Sequence, residues 1–120
     1  MTHARNLAVG SYGEDVAAKH LVSEGLVVLA RNWTSRHGEI DIVARDGSTL
    51  VVCEVKTRTS LTHGTPAEAV TPRKAARLRR LAAHWLEIHD VQPDAVRIDV
   101  VTVVVPERGA ARVRRISGVA

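Results

Sequence analysis

Two apolar, strand-like segments flank an amphipathic helical segment in the middle and later part of the chain, and this order constrains the fold most. The three segments cover residues 49–57, 72–88 and 96–105. Thr71 and Pro72 are typical of a helix N-terminus. The apolar residues that follow recur at helical spacing: Ala75, Leu78, Leu81, Ala82 and Trp85. Because a strand–helix–strand connection joins parallel strands by a right-handed crossover, the pattern predicts a parallel pair within a sheet.

The remaining segments predict a mixed sheet with helices packed on it. We expect a helix over 11–24, capped by Ser11 and ended by Gly25, then a strand over 26–30 and a polar loop over 31–37. Strands over 38–44 and 49–57 are joined by a two-residue turn at Asp46-Gly47. A polar loop over 58–70 precedes the second helix, and residues 112–116 form a closing strand. The predicted fold class is α/β, a mixed central β-sheet flanked by helices in the order αβββαβ, as a single domain over 1–120.

Composition narrows the function classes. The chain has 17 Lys and Arg against 13 Asp and Glu, a net charge of +4, and most of the basic residues are arginines. Arginine suits phosphate binding, which favours a nucleic-acid partner, although a genome rich in arginine codons gives the same bias. A single cysteine excludes an intramolecular disulfide and a cysteine-based zinc site. Without a signal peptide or an apolar stretch of about 18 residues, we expect a cytoplasmic protein with no membrane partner.

Charged residues on the central strands form the candidate site. Glu54 and Lys56 are two residues apart on an apolar strand, so they face the same side of the sheet. A turn at Asp46-Gly47 sets Asp41 opposite Val52 and diagonal to Glu54. Facing carboxylates repel each other unless a cation lies between them, and Mg²⁺ prefers oxygen ligands. The pattern predicts a site for Mg²⁺ or Mn²⁺ with Lys56 beside it, suited to phosphodiester hydrolysis.

Further charged residues have two interpretations each. Glu14 lies on the sheet-facing stripe of its helix and could join the metal site, or it could be a helix N-terminal glutamate favoured by the dipole. Arg73, Arg77 and Arg80 form a stripe with His84 that could follow a phosphate backbone or could be an ordinary solvated face. Arg58 lies at the mouth of the site, where it could hold a phosphate.

Two sequence stretches carry a resemblance to a known family. Gly38-Glu39-Ile40-Asp41 followed by Glu54-Val55-Lys56 resembles the Asp…Glu-x-Lys signature of the PD-(D/E)XK nuclease superfamily. Nearly the whole chain up to Val105 resembles the YraN family of small bacterial proteins, which are similar to archaeal Holliday-junction resolvases. The resemblance implies a restriction-endonuclease-like core. It also implies that Asp41, Glu54 and the carbonyl of Val55 bind the metal, with Glu14 as an auxiliary ligand and Lys56 positioning the attacking water.

The combined expectation is a Mg²⁺-dependent endonuclease that acts on DNA, with branched DNA suggested only by the similarity to resolvases. Those resolvases act as homodimers, so a homodimer is part of the same expectation. The superfamily's proline is replaced by Ile40, a departure that leaves the metal chemistry unaffected. The alternative is a non-catalytic nucleic-acid-binding module that retains the nuclease fold, since a fold does not fix a function.

Overall fold

A five-stranded sheet in chain order forms the centre of the protein. The structure is a computed structural model that describes residues 3–59 and 70–119. Neighbouring strands are antiparallel, apart from a parallel pair formed by the third and fourth strands. The elements are α1 (His3–Ser23), β1 (Val27–Ser35), β2 (Gly38–Asp46), β3 (Thr49–Arg58), α2 (Pro72–His89), β4 (Ala95–Val104) and β5 (Arg112–Ile116). The mixed α/β class and the predicted element order are confirmed, and they are compatible with a restriction-endonuclease-like core.

The two helices cover opposite faces of the sheet. On β3, Leu50 and Val52 belong to the apolar cluster beneath α2, whereas Val51 and Cys53 belong to the cluster beneath α1. A strand buried on both faces carries a continuous apolar run, as this one does up to Cys53. The burial of Glu54 immediately after that run therefore calls for specific partners.

The second helix has the predicted boundaries and buried face. Thr71 is its N-cap, and the Thr71 hydroxyl accepts a hydrogen bond of 3.2 Å from the Lys74 backbone N–H. The five predicted apolar residues are also its buried residues. Among the residues that the structure describes, no helix is long and apolar enough to cross a membrane.

The first helix is longer than the sequence predicts. It begins at His3, so Ser11 is an exposed residue of the helix and not its cap. The helix ends as expected near Gly25, which adopts a φ of 93°, while Leu26 N–H donates to the carbonyl of Leu21. Residues 4–9 contain several good helix formers and no proline, which lets the helix extend towards the N-terminus. Glu14 therefore lies far from the helix N-terminus, and the dipole explanation for it is wrong.

The predicted polar loop over 31–37 is wrong for its first five residues, which extend β1 to Ser35. They pair with β2, as in Arg31 with Ile42 and Trp33 with Ile40. β1 lies at the edge of the sheet, where polar side chains can remain exposed to water. Its sequence therefore lacks the apolar pattern by which a strand is usually predicted. The loop predicted over 58–70 falls mainly on residues 60–69, outside the described part of the chain.

The predicted turn at Asp46-Gly47 is also wrong, by one residue. Asp46 pairs with Thr49, which makes Gly47 and Ser48 the two turn residues. Gly47 has a φ of 59°, as a type II′ turn requires of its first central residue. The register consequently shifts by two residues, so that Val43 and not Asp41 opposes Val52. A shift of two keeps the residues of the regularly paired part, from Ile42 to Asp46 on β2, on their predicted faces.

A buried ion network fixes the last strand and the C-terminal residues to the sheet. Asp99 is fully buried on β4. It accepts hydrogen bonds from Arg97 Nε at 2.8 Å, from Arg115 Nη1 at 2.8 Å and from the Gly118 N–H at 3.0 Å. Burial alone would raise the pKa of Asp99, but these hydrogen bonds outweigh it and hold the pKa below its ordinary value. The carboxylate is thus fully partnered inside the fold.

A glycine lets α1 approach β3 closely. Gly13 is buried, and a Cβ placed on it would lie only 2.6 Å from Thr57 Cγ2. Gly10, one turn earlier on α1, has nothing within 4 Å of the same position. The close approach at Gly13 brings the adjacent Glu14 to the sheet.

We expect Gly13→Ala to lower the free energy of unfolding by about 1–3 kcal/mol, because the added methyl group overpacks the contact with Thr57. Gly10→Ala is the matched control, and it should raise stability by about 0.5–1 kcal/mol because alanine is the better helix former. Urea denaturation followed by circular dichroism measures both. Equal responses at the two positions would contradict this account of how α1 is seated.

Candidate functional site

The candidate site lies where β2 and β3 separate. Regular pairing between them runs from Asp46 and Thr49 to Ile42 and Cys53. Just beyond the last pair, Asp41 Oδ2 accepts a hydrogen bond of 2.8 Å from the Val55 N–H. The Asp41 carboxylate thus replaces the backbone carbonyl that would accept the Val55 N–H hydrogen bond in a regular antiparallel ladder. This contact holds the candidate carboxylate at the point of separation.

An irregularity in β2 explains why Asp41 leaves the ladder. Ile40 and Val43 both belong to the cluster beneath α2, although residues three apart in a regular strand face opposite sides. The register of β1 against β2 also shifts, between Val28 and Ala30. On β1, Asn32 has a left-handed φ of 51° between the two residues that pair with Ile42 and Ile40. The regular pairing of β2 with β3 ends at Ile42, within this irregular part of the strand.

Glu54 is buried and held by two lysines. Its side chain faces away from Cys53 and Val55, which lie in or against the cluster beneath α1, as the strand alternation predicts. Glu54 Oε1 lies 3.3 Å from Lys56 Nζ and 2.5 Å from Lys74 Nζ. Lys74 is the site residue that sequence reasoning missed. It comes from α2, and no local pattern links it to a residue 20 positions earlier.

Glu14 reaches the same region from the other face of the sheet. Its Oε1 atom is buried and has no hydrogen-bond partner among the described residues, and Arg31 Nε lies 3.8 Å from it. Burial raises the pKa of Glu14, an effect that Arg31 and a hydrogen bond from Asn32 only partly offset. An orphaned carboxylate oxygen of this kind is unfavourable unless a further positive group satisfies it.

Asp41 is the residue at which these charges meet. Burial raises the pKa of Asp41 from 3.8 to about 6, against the lowering effect of the Val55 hydrogen bond. The carboxylates of Glu54, Glu14 and Glu39 contribute to the same rise. Three neighbouring negative charges therefore oppose the ionisation of Asp41, and a cation close to it would relieve that cost.

The predicted basic residues are accessible to a partner. Arg73, Arg77 and Arg80 are exposed on α2, and Arg58 is half-buried at the end of β3. The β1–β2 turn packs against this helix, since a Cβ on Gly38 would lie 3.3 Å from Leu81 Cδ1 and 3.8 Å from Arg77 Cδ. The basic stripe therefore continues on the surface towards that turn.

Comparison with known proteins places the chain in a family. The model of "Uncharacterised protein family UPF0102" matches residues 13–103. A UPF0102 protein of Kineococcus radiotolerans is 60% identical over 121 residues, covering 99% of both chains. A UPF0102 protein of Nocardioides sp. is 55% identical over 112 residues, covering 93% of this chain and 90% of its own. The chain belongs to the UPF0102 family. This is the YraN family that the sequence resembles, so that expectation is confirmed.

The donor set in this UPF0102 protein fits a divalent cation in chemistry, but it is not a preformed cage. Over residues 3–59 and 70–119, no three Asp, Glu, His or Cys side chains are arranged so that they could hold a metal ion. The orphaned Glu14 oxygen and the disfavoured charge on Asp41 are the features that a cation would satisfy. Carboxylate oxygens are the ligands that Mg²⁺ prefers. At Glu54 Oε1, a cation would have to displace Lys74.

Cysteine chemistry is excluded at this site. Cys53 is fully buried, and its burial raises the pKa of the thiol well above the ordinary value. A nucleophilic cysteine needs the opposite shift and access to a substrate. Cys53 is a small apolar core residue, as its position between Val52 and Glu54 on β3 predicts.

We expect Asp41→Asn to stabilise the protein at about pH 8 in a chelating buffer and to have little effect at about pH 4. Because the folded-state pKa is raised, the folded chain keeps its Asp41 proton up to about pH 6, whereas the unfolded chain releases it near pH 3.8. Ionised Asp41 therefore opposes folding above that window, and its cost disappears as the pH falls through it. The gain at high pH should be about 1 kcal/mol, less than the full shift implies because Asp41 is only half-buried.

Urea denaturation at the two pH values measures this effect. Asp94→Asn removes the same charge from an exposed position and serves as the matched control. If Asp41→Asn instead destabilises the protein at the higher pH, the charge on Asp41 contributes to folding and the account of its pKa is wrong.

Proposed function

We propose that this protein is a metal-dependent endonuclease that hydrolyses phosphodiester bonds of branched or otherwise structured DNA. One observation carries the proposal: Asp41, Glu54 and Lys56 converge where β2 and β3 separate, with Lys56 Nζ 3.3 Å from Glu54 Oε1. This combination of two acidic groups and one ammonium group suits metal-assisted hydrolysis. A purely structural role for these residues would not require the strand pairing to be interrupted.

The acidic residues have distinct roles in this proposal. Asp41 and Glu54 hold Mg²⁺ or Mn²⁺ together with the carbonyl of Val55, and Glu14 contributes its orphaned oxygen as an auxiliary ligand. A bound divalent cation supplies charge stabilisation at a phosphoryl oxygen and lowers the pKa of a nearby water. The hydrogen bond from Val55 leaves one oxygen of Asp41 for the cation and fixes the direction in which it points.

Lys56 acts on the reacting groups in this proposal. Its ammonium group orients the attacking water and stabilises the negative charge that develops on the phosphoryl group. Lys56 follows Glu54 by two residues on one strand, so the backbone directs both side chains to the same point with little freedom to reorganise. An interaction that strengthens as charge develops lowers the barrier more than it improves substrate binding.

DNA is the proposed substrate because of charge and resemblance. The net charge is +4, and four exposed arginines, the three of the stripe among them, lie on α2, the helix that also supplies Lys74 to the site. Such a surface binds phosphates without reading bases. The preference for branched DNA, and a homodimer that cuts two strands, rest on the similarity to resolvases.

A second candidate function is a non-catalytic nucleic-acid-binding module. The observation that favours it is the ion pair between Glu54 and Lys74, which neutralises Glu54 without a metal. In such a module the basic surface binds DNA, and the carboxylates serve only the fold. Metal binding and cleavage distinguish the two functions.

The deciding experiment incubates the protein with four-way junction, flap, single-stranded and duplex DNA in Mn²⁺. We expect cleavage by the native chain and none by Asp41→Ala. Lys56→Ala should lower the cleavage rate by about a hundredfold or more while changing Mn²⁺ and DNA binding little, since its role is confined to the transition state. Lys19→Ala, an exposed lysine on α1, is the matched control.

Two results would contradict the proposal in different ways. Cleavage by Lys56→Ala at the native rate rejects the role of that lysine alone. Failure of the folded native chain to cut any of the substrates, with no rise in melting temperature on adding Mn²⁺, favours the binding module.

We also expect the combined change Arg73→Ala, Arg77→Ala and Arg80→Ala to weaken DNA binding similarly for different sequences and to flatten its salt dependence by about 2–3 units of slope. Filter binding over a range of salt concentrations measures this. The matched control replaces the exposed Arg108, Arg112 and Arg114 at the other end of the chain, with the same change in net charge. Equal effects of the two triple variants would make the α2 stripe an ordinary charged surface.

A further inference from the structure

A groove between the β1–β2 turn and α2 has the chemistry of a nucleotide site. It is an open cavity of about 510 Å³, which we call the hairpin–helix groove. Its lining residues combine guanidinium, imidazole and carboxylate groups: Arg36, His37, Arg80, Ala83, His84 and Glu87. A volume of about 300 Å³ or more is typical of a pocket for a small organic ligand.

The aromatic side of the groove is built from two imidazole rings in contact, one of which also packs against a tryptophan. The His84 ring lies edge-on to Trp33 with centroids 5.6 Å apart, and edge-on to His37 at 6.0 Å. His84 Nδ1 is buried and has no hydrogen-bond partner in the described part of the chain. The exposed His37 ring offers a face on which a base can stack.

The β1–β2 turn holds its part of the groove in a fixed shape. The His37 N–H donates to Ser35 Oγ at 3.1 Å, and Arg36 Nε donates to His37 Nε2 at 3.2 Å. The guanidinium of Arg36 is therefore held beside the imidazole and not left to extend into solvent. A preformed arrangement of this kind costs less entropy when a ligand binds.

Opposite charges mark the two ends of the groove. Arg80 and Glu87 are seven residues apart on α2, which is about 10 Å along the axis at about 1.5 Å per residue. Arg36 and Arg80 attract a phosphate, while Glu87 repels one and accepts hydrogen bonds from the amino groups of bases. A ligand with a phosphate at one end and a base at the other matches this distribution, whereas a phosphate alone would not.

We propose that the hairpin–helix groove binds one unpaired nucleotide of a nucleic-acid strand, with the base on His37 and the phosphate between Arg36 and Arg80. Within a duplex, bases are paired and stacked, so they cannot enter a pocket. The groove therefore gives the protein a preference for DNA with single-stranded character. This inference rests on the proposed function for its biological context, because unpaired nucleotides occur where branched DNA departs from the duplex.

The test compares binding of a short single-stranded oligonucleotide with binding of the same sequence as a blunt duplex, by fluorescence anisotropy in EDTA. In the double variant Arg36→Ala, His37→Ala, we expect the affinity for the single strand to fall about tenfold, the size expected for loss of one stacking contact. Duplex affinity should fall less than about threefold, the effect of losing one phosphate contact. Both residues are exposed in a turn, so the variant should fold.

Two control variants complete the experiment. Arg108→Ala removes an equal charge from an exposed loop and should leave the preference for the single strand unchanged. Glu87→Gln keeps the shape of the groove but removes a charge that repels phosphates and a strong acceptor for base amino groups, so the ratio of single-strand to duplex affinity should fall. An equal loss of single-strand and duplex affinity in the double variant would overturn the proposal, as would no loss at all. Since binding is measured in EDTA, a chain that cuts nothing can still show the preference, which separates this result from the test of cleavage.

Discussion

Parallel pairing of β3 with β4 is the constraint on which the other elements depend. Ten consecutive residues of β3, from Thr49 to Arg58, align with residues of β4. Two strands that run in the same direction need a long connection, and here it contains α2, which covers one face of the sheet while α1 covers the other. This central pair is apolar along most of its length, so the charged residues at the end of β3 stand out against it. The arrangement sets Glu54 beneath α2, where Lys74 can reach it.

The candidate site arises from a defect in the sheet and not from an added loop. In a continuous ladder, the Val55 N–H would donate its hydrogen bond to a backbone carbonyl of β2, and no side chain would serve as its acceptor. The left-handed Asn32 on β1 and the break in alternation along β2 leave that N–H to the Asp41 carboxylate. One distortion therefore satisfies a backbone donor and places an acidic group among other carboxylates. Bulges and breaks of this kind redirect side chains next to functional sites in many sheets.

Sequence reasoning succeeded where the signal is local and failed where it depends on pairing. The cap at Thr71 and the apolar stripe of α2 are contained within one segment, and the structure matches them. The turn at Gly47 was misplaced by one residue because the sequence Asp-Gly-Ser supports two different two-residue turns, and only the partner strand selects between them. The strand over 31–35 has polar residues that an edge tolerates, so it carries no apolar signature. Lys74 could not be foreseen because its contact with Glu54 joins two different elements 20 residues apart, and no local pattern indicates such a contact.

The two lysines on Glu54 have a consequence for electroneutrality. Glu54 carries one negative charge, and its Oε1 atom contacts two ammonium groups. The charge of Glu54 itself is therefore balanced without a divalent ion. An ion that binds at Oε1 replaces an existing cation, and the Lys74 side chain that it displaces must return to water. The affinity of such an ion for Oε1 is then the difference between two cations competing for the same oxygen.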